Sequence, residues 1–188
     1  MGNEDMNKLL AKPKLEDHPF VAGAGGDFIT ELARFDEEID FKAGHIFFRE
    51  GGYADKFYLI LEGTIAIESE MGNGDRPVVI QVLEGGDVLG WSWMYPPFMW
   101  HFSARACTDG KAIRFNAPAL MLKAEEDREF GYELMRRVTA ELIKRLQNTR
   151  RLMLLNVGKR REATAEHFKS GEKPEFPESL WCHHSNKE

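Results

Sequence analysis

From Ile39 to Asn116 the chain is a train of short apolar or alternating runs, each closed by turn chemistry, and that rhythm limits the fold more than any other feature. The runs are Ile46-Phe48, Phe57-Leu61, Thr64-Glu68, Val78-Leu83, Phe102-Cys107 and Ala112-Phe115. Between them stand Glu50-Gly51-Gly52, Glu62-Gly63, Gly72-Asn73-Gly74-Asp75, Glu84-Gly85-Gly86-Asp87 and Thr108-Asp109-Gly110. Runs this short do not sustain a helical period, whereas Gly, Asn and Asp supply the positive φ and local hydrogen bonds that a reversing strand needs. Many short strands must stack or close on themselves to hide their apolar faces, which predicts a sandwich or roll over about residues 39–116. Within it, alternation assigns Phe47, Phe57, Leu59 and Leu61 to one interior face.

Helical patterns flank the roll. Asp27 is placed to cap a short helix that carries Phe28, Ile29, Leu32 and Phe35. After Pro118 the stretch Ala119-Leu120-Met121-Leu122 reads as a helix, and Phe130, Leu134, Val138, Leu142, Leu146 and Met153 recur at helical spacing in a longer one over about 129–155. Arg136, Arg137, Lys144, Arg145, Arg150 and Arg151 occupy its other faces, as a solvated surface or a patch for an acidic partner. The fold class is therefore mainly β with flanking helices: a sandwich or roll with C-terminal helices over about 117–157. Residues 1–26 contain Pro13, Pro19 and Gly23-Ala24-Gly25-Gly26 and are expected as a flexible arm, leaving 27–157 as the domain and 158–188 as a polar tail.

Composition removes several function classes. A chain of 188 residues, 43% hydrophobic and 30% charged, buries a core without disulfides or a structural metal. No apolar run approaches the roughly 18 residues that span a bilayer, so no membrane partner is expected. Met1 to Met6 lacks the layout of a signal peptide, and Cys107 and Cys182 are too few for a disulfide framework, so the reading is cytoplasmic. A net charge of −6 repels polyanions and argues against direct nucleic-acid binding. His18, His45 and His167 are isolated, His101 lacks a nearby histidine, and the Cys182-His183-His184 trio sits in the tail, so no metal site is expected. Ser92 has no recognisable base and no nucleophile or phosphate-loop motif occurs, so the chain reads as a non-enzyme.

The ordered stretch Phe41-Lys42-Ala43-Gly44-His45-Ile46-Phe47-Phe48-Arg49-Glu50-Gly51, followed by Ala54-Asp55-Lys56-Phe57-Tyr58-Leu59-Ile60-Leu61-Glu62-Gly63, resembles the cyclic nucleotide-binding domain family. The resemblance covers about residues 28–155 and implies that the roll is a double-stranded β-helix, or jelly roll, followed by C-terminal helices. It implies a ligand segment that begins at Leu83-Glu84-Gly85-Gly86-Asp87-Val88-Leu89-Gly90. In typical members that glycine precedes Glu-Leu, a helical turn, and then Arg with a small hydroxyl residue and Ala about ten positions on. Helix-terminal amides and the arginine fork hold the cyclic phosphate, and the carboxylate takes the ribose hydroxyl.

Here the segment reads Gly90-Trp91-Ser92-Trp93-Met94-Tyr95-Pro96-Pro97-Phe98-Met99-Trp100-His101-Phe102-Ser103-Ala104. Trp91 stands at the Glu position, Trp100 at the Arg position and His101 at the hydroxyl position. A hydrogen bond to a charged group contributes about 1.5–3 kcal/mol, so losing fork and carboxylate together weakens a cyclic nucleotide by orders of magnitude. The candidate ligand-binding residues are Gly90, Trp91, Ser92, Trp93, Trp100, His101 and Ser103. Arg105, on the same alternating face as His101 and Ser103, is a candidate substitute charge, although a strand arginine is more often simply exposed. Three outcomes stay open: an altered pocket for an aromatic small molecule, a pocket filled by its own rings, and retained weak cyclic nucleotide binding. The corresponding functions are a small-molecule sensor, a ligand-free interaction domain, and a transcription-regulator component working through a partner. The resemblance also implies a homodimer through helix 129–155.

Overall fold

The computed structural model describes residues 15–69 and 77–170, with side chains through Leu154 except Leu152. The Gly72–Asp75 turn, the first half of the expected arm, and Trp181 with Cys182-His183-His184 lie outside the described residues. The chain divides into two units, residues 1–141 and 142–188.

The first unit is a roll of two four-stranded antiparallel sheets. Strands β1 (Asp36–Phe41), β8 (Gly110–Asn116), β3 (Lys56–Glu62) and β6 (Val88–Leu89) form one sheet in that order. The other runs β2 (Ile46–Phe48), β7 (Ser103–Ala106), β4 (Ile65–Ser69) and β5 (Val78–Leu83). Five of these strands closely follow the apolar runs of the sequence. The sixth, Phe102-Cys107, shortens to Ser103–Ala106. β1 begins earlier than the pattern suggested, because Asp36-Glu37-Glu38 reads as surface; it is an edge strand, where exposed charge discourages pairing with other chains. Gly63 shows why the turns need glycine. Its φ is +93° and a Cβ there would lie 2.8 Å from the Asp109 carbonyl oxygen of the neighbouring turn.

β3 is buried on both faces, and this corrects the expected interior face. Tyr58 and Ile60 point into the roll with Phe41, Ile65, Ile67, Leu83, Leu89, Ala104, Ala106 and Ala112. Phe57 and Leu59 point the other way, into a second apolar layer with Ile113 and Phe115 that is roofed by helices. A strand covered on both sides reads as a continuous apolar run, so alternation had nothing to register.

Helix α1 (Gly26–Leu32) supplies Phe28 and Leu32 to that second layer. Its N-cap is Gly25, and Asp27 lies inside the first turn instead of capping it, where a carboxylate still favours the helix dipole. Phe35 falls in a following 3-10 turn, Ala33–Phe35. Helix α2 (Ala117–Glu126) is capped by Asn116, whose side-chain oxygen accepts from the Ala119 amide at 3.0 Å, with Pro118 in its first turn. Helix α3 (Arg128–Ser170) is started by Asp127, which accepts from the Phe130 amide at 3.1 Å, and it buries Phe130, Leu134 and Val138. It runs well beyond the expected end near 157, since Lys, Arg, Glu and Ala after Val157 are good helix formers despite the polar look.

The expected loose arm is ordered from Leu15 onward. Two 3-10 turns, Leu15–Asp17 and Pro19–Val21, bury Leu15, Phe20 and Val21 against the second layer. His18, also buried, accepts from the Phe20 amide at Nδ1 and meets the Ile60 carbonyl oxygen at Nε2, 3.2 Å away. Arg137 of α3 reaches across and donates to the carbonyls of Phe20 at 2.6 Å and Ala22 at 3.1 Å, while its Nε donates to Glu133 at 2.7 Å. Polar bonds from a helix to the segment's backbone, invisible in local composition, hold it down.

Candidate functional site

The segment that leaves β6 begins with a built turn. Asp87 accepts from the Glu84 amide at 2.9 Å and donates its own amide back to the Glu84 carbonyl at 3.0 Å. Gly90 then takes φ +81°. Any side chain there would collide with Trp100, whose ring carbon lies 2.9 Å from where a Cβ would sit. A short 3-10 turn, Ser92–Met94, follows, with Trp91 at its N-cap position.

Trp100 is 5% exposed. Its indole stacks on Phe48 with ring centres 3.8 Å apart and planes 9° from parallel, and its edge also meets Gly52. Its backbone is held from both sides: Trp100 donates to the Gly52 carbonyl and the Gly51 amide donates to the Trp100 carbonyl, both at 2.8 Å. The side chain at the position of the family's phosphate-binding arginine is thus part of the core, pressed on the glycine that opens the segment.

Trp91 and His101, at the Glu and hydroxyl positions, face each other. Their rings stack 5.9 Å apart at 15°, and His101 Nδ1 lies 3.2 Å from the buried Ser92 hydroxyl. Trp91 is half-buried and His101 is exposed, so this pair forms the open rim of the segment. Ser103 is engaged elsewhere, its hydroxyl accepting from the Glu50 amide at 2.9 Å. Trp93 is buried and folds back on Gly90: its indole N–H donates to the Gly90 carbonyl at 3.1 Å and its ring meets Phe57 edge-on.

Arg105 supplies no substitute charge. Both its Nε and Nη2 donate to Glu68, a buried carboxylate on β4, and that bond raises its already high pKa. Within the roll, Tyr58 is buried and its phenol is pushed up to about 12, chiefly by desolvation, so it stays neutral. Among the described residues no group of three or more His, Cys, Asp or Glu is placed to hold a metal ion. No helix among them is long and apolar enough to cross a membrane.

Of the seven candidate residues, the structure joins Gly90 with Trp100 and with Trp93, and Trp91 with Ser92 and His101, and Ser103 is engaged by the Glu50 amide instead. Sequence reasoning missed Phe48 as the partner of Trp100 and Glu68 as the partner of Arg105. The doubled aromatic Phe47-Phe48 was the available signal for the first; nothing local marks the second.

Comparison with known proteins bears on the family and the fold. The family model of the cyclic nucleotide-binding domain matches residues 38–127. Residues 38–127 are similar to this domain. A CRP-like cAMP-activated global transcriptional regulator of Mycobacterium tuberculosis is 25% identical over 143 residues, 76% of this chain and 61% of the relative. The chain therefore matches about three fifths of that regulator's length. Among solved structures, a putative cyclic nucleotide-binding protein of Geobacter metallireducens aligns with TM-score 0.61 and 23% identity, over 78% of this chain and 99% of its own. The catabolite activator protein of Thermus thermophilus aligns with TM-score 0.58 and 16% identity, over 73% of this chain and 63% of its own. At these identities the structures share a fold: two antiparallel four-stranded sheets followed by C-terminal helices.

Proposed function

We propose that this cyclic nucleotide-binding-type domain is a non-enzymatic regulatory module whose phosphate cradle is closed by its own aromatic side chains, so that its signal is not cyclic AMP or cyclic GMP bound in the family's usual way. One observation carries the reading: Trp100, at the arginine position, is stacked on Phe48 and packed on Gly90. A cyclic phosphate placed there would meet carbon in place of an arginine fork, and Arg105, the next arginine along the segment, is engaged by Glu68. The exposed Trp91–His101 rim supports a second reading, in which a flat aromatic molecule is taken at the edge of the closed cradle.

The output follows the family's architecture. In the second unit, Ile143, Leu146, Met153 and Leu154 are exposed on α3, and the Leu142, Leu146 and Met153 seam suits pairing with a second copy of the helix. Such a homodimer acts in the cytoplasm through a protein partner and without direct nucleic-acid contact, consistent with the net charge of −6.

The test is to rebuild the cradle. Wild type is expected to show no thermal stabilisation by cyclic AMP or cyclic GMP, even at millimolar concentration. A Trp91→Glu/Trp100→Arg/His101→Ser variant, if it folds, is expected to gain a shift that saturates. A saturable wild-type shift at micromolar nucleotide sinks the proposal.

A further inference from the structure

Beside the aromatic segment lies a concavity that neither Trp91, Trp100 nor His101 lines. It has a volume of about 340 Å³, in the range of small-molecule sites. Its walls come from three places: Tyr53 before β3, Trp93 and Phe98 of the segment, and Met121, Leu122 and Glu125 of α2. All belong to the first unit.

Its chemistry is one-sided. The indole N–H of Trp93 is taken by the Gly90 carbonyl, so that ring offers carbon alone. Phe98 stands in left-handed backbone at φ +56°, a conformation costly for a residue with a Cβ, and its carbonyl accepts from the Ala54 amide at 2.8 Å. This bond ties the segment to the Tyr53 wall. Tyr53 and Leu122 are strongly exposed, 64% and 61%, although both are large and partly apolar. Glu125 lies about one turn along from Met121 and Leu122, on the same side of α2, and among the described residues it makes no hydrogen bond or ion pair. No Lys, Arg or His lines the space.

We propose that this pocket binds a small organic cation with an apolar body, an aromatic or alkylated amine, whose charged nitrogen sits among the rings of Tyr53, Trp93 and Phe98 near the Glu125 carboxylate. Ring faces carry negative electrostatic potential and attract ammonium groups, and a carboxylate at the rim supplies the matching charge. The same lining excludes a phosphate, which would find no cation and one repelling carboxylate. A ligand here touches both the rewritten segment and α2, so its binding fastens the one to the other. The inference is independent of what the cradle holds.

The experiment titrates the full wild-type chain with benzyltrimethylammonium, its neutral near-isostere 2-methyl-1-phenylpropan-2-ol, and anionic phenylacetate, following the Trp93 indole N–H and the Met121 methyl by NMR. Expected are saturating shifts at both probes for the cation, affinity at least tenfold weaker for the alcohol, and no shift for phenylacetate. Glu125→Gln should keep the melting temperature and lose about tenfold in affinity, equivalent to about 1.4 kcal/mol. The proposal is overturned by silence at both probes with about 10 mM cation, by equal affinity for the alcohol, or by unchanged affinity in Glu125→Gln. Shifts confined to Trp91 and His101 also overturn it, because they place the cation at the other rim. None of these results bears on whether the rebuilt cradle takes a cyclic nucleotide, so the two proposals fail separately.

Discussion

Strands β3 and β8 and the segment Gly90–Ser103 both bury aromatic rings in the same apolar layer, yet they reach it by different rules. Phe57 and Phe115 are fully buried because their own sheet and a roof of helices leave them nowhere else to go. Trp100 is buried to nearly the same degree in a stretch where the family resemblance calls for an arginine turned toward a ligand. The scaffold has the geometry of the fold, whereas the segment carries aromatic rings where the resemblance implies charges. On the proposed reading the fold is inherited without its usual ligand, and only the side chains of the segment tell the two apart.

Truncating the buried rings has the largest expected effect. Phe57→Ala is expected to destabilise by about 4 kcal/mol, and Trp100→Ala by about 3–5 kcal/mol, because each removes a ring from a packed interior. Chemical denaturation reads both. A loss below about 1 kcal/mol at Trp100 would make it the wall of an open pocket and end the comparison.

Arg137 tests a second contrast, between the segment that looked loose and is held and the segment that looked functional and is packed. Arg137→Ala leaves the Phe20 and Ala22 carbonyls without their donor and removes the ion pair with Glu133, so a cost of about 3 kcal/mol is expected. The same variant should expose Leu15 to Val21 to proteolysis while Gly90–Ser103 stays protected. Unchanged protection throughout would show that Arg137 does not hold the segment.

The smallest effect is on acid stability. Hydrogen bonds from Arg136, and secondarily Arg137, hold the Glu133 carboxyl below its ordinary range. The Phe130 amide and Lys123 do the same for Asp127, and Lys42 and the Ala43 amide for Asp109. A depressed carboxyl stabilises the fold above its unfolded pKa, and that contribution disappears as pH falls through the folded value. The melting temperature should therefore fall on acidification below about pH 4, with a shallower slope in Glu133→Gln. Gly90–Ser103 contains no carboxylate, so the acid response belongs to the scaffold. An identical slope in Glu133→Gln would remove Glu133 from that account.

How much could be read beforehand divides along the same line. Strands β2, β3, β4, β5, β7 and β8 were legible because glycine-rich turns bracket apolar runs, a local signal. β1 was clipped because its acidic start sits at a sheet edge, where burial gives no pattern. The order of Leu15–Val21 depends on Arg137, more than a hundred residues away, and composition carries no record of such a bond. In the site, Trp91 and Trp100 could be seen to stand where the resemblance implies the two anchoring charges. Whether the rings line a cavity or fill it was not legible, because that depends on Phe48 and on the missing Cβ of Gly90. The groove beside Trp93 was unreadable for the same reason: Tyr53, Phe98 and Glu125 meet only after the roll has closed and α2 has docked.

Trp100 is proposed to fill the place of the phosphate-binding arginine, and fluorine NMR of the 5-fluorotryptophan-labelled protein tests this with the native sequence otherwise intact. With the Trp100 resonance assigned by Trp100→Phe, exchange from H2O to D2O should leave it unmoved, as for a ring sealed in the core, while Trp91 shifts. A solvent-isotope shift at Trp100 as large as that of free fluorotryptophan would mean an open cradle and would contradict the account.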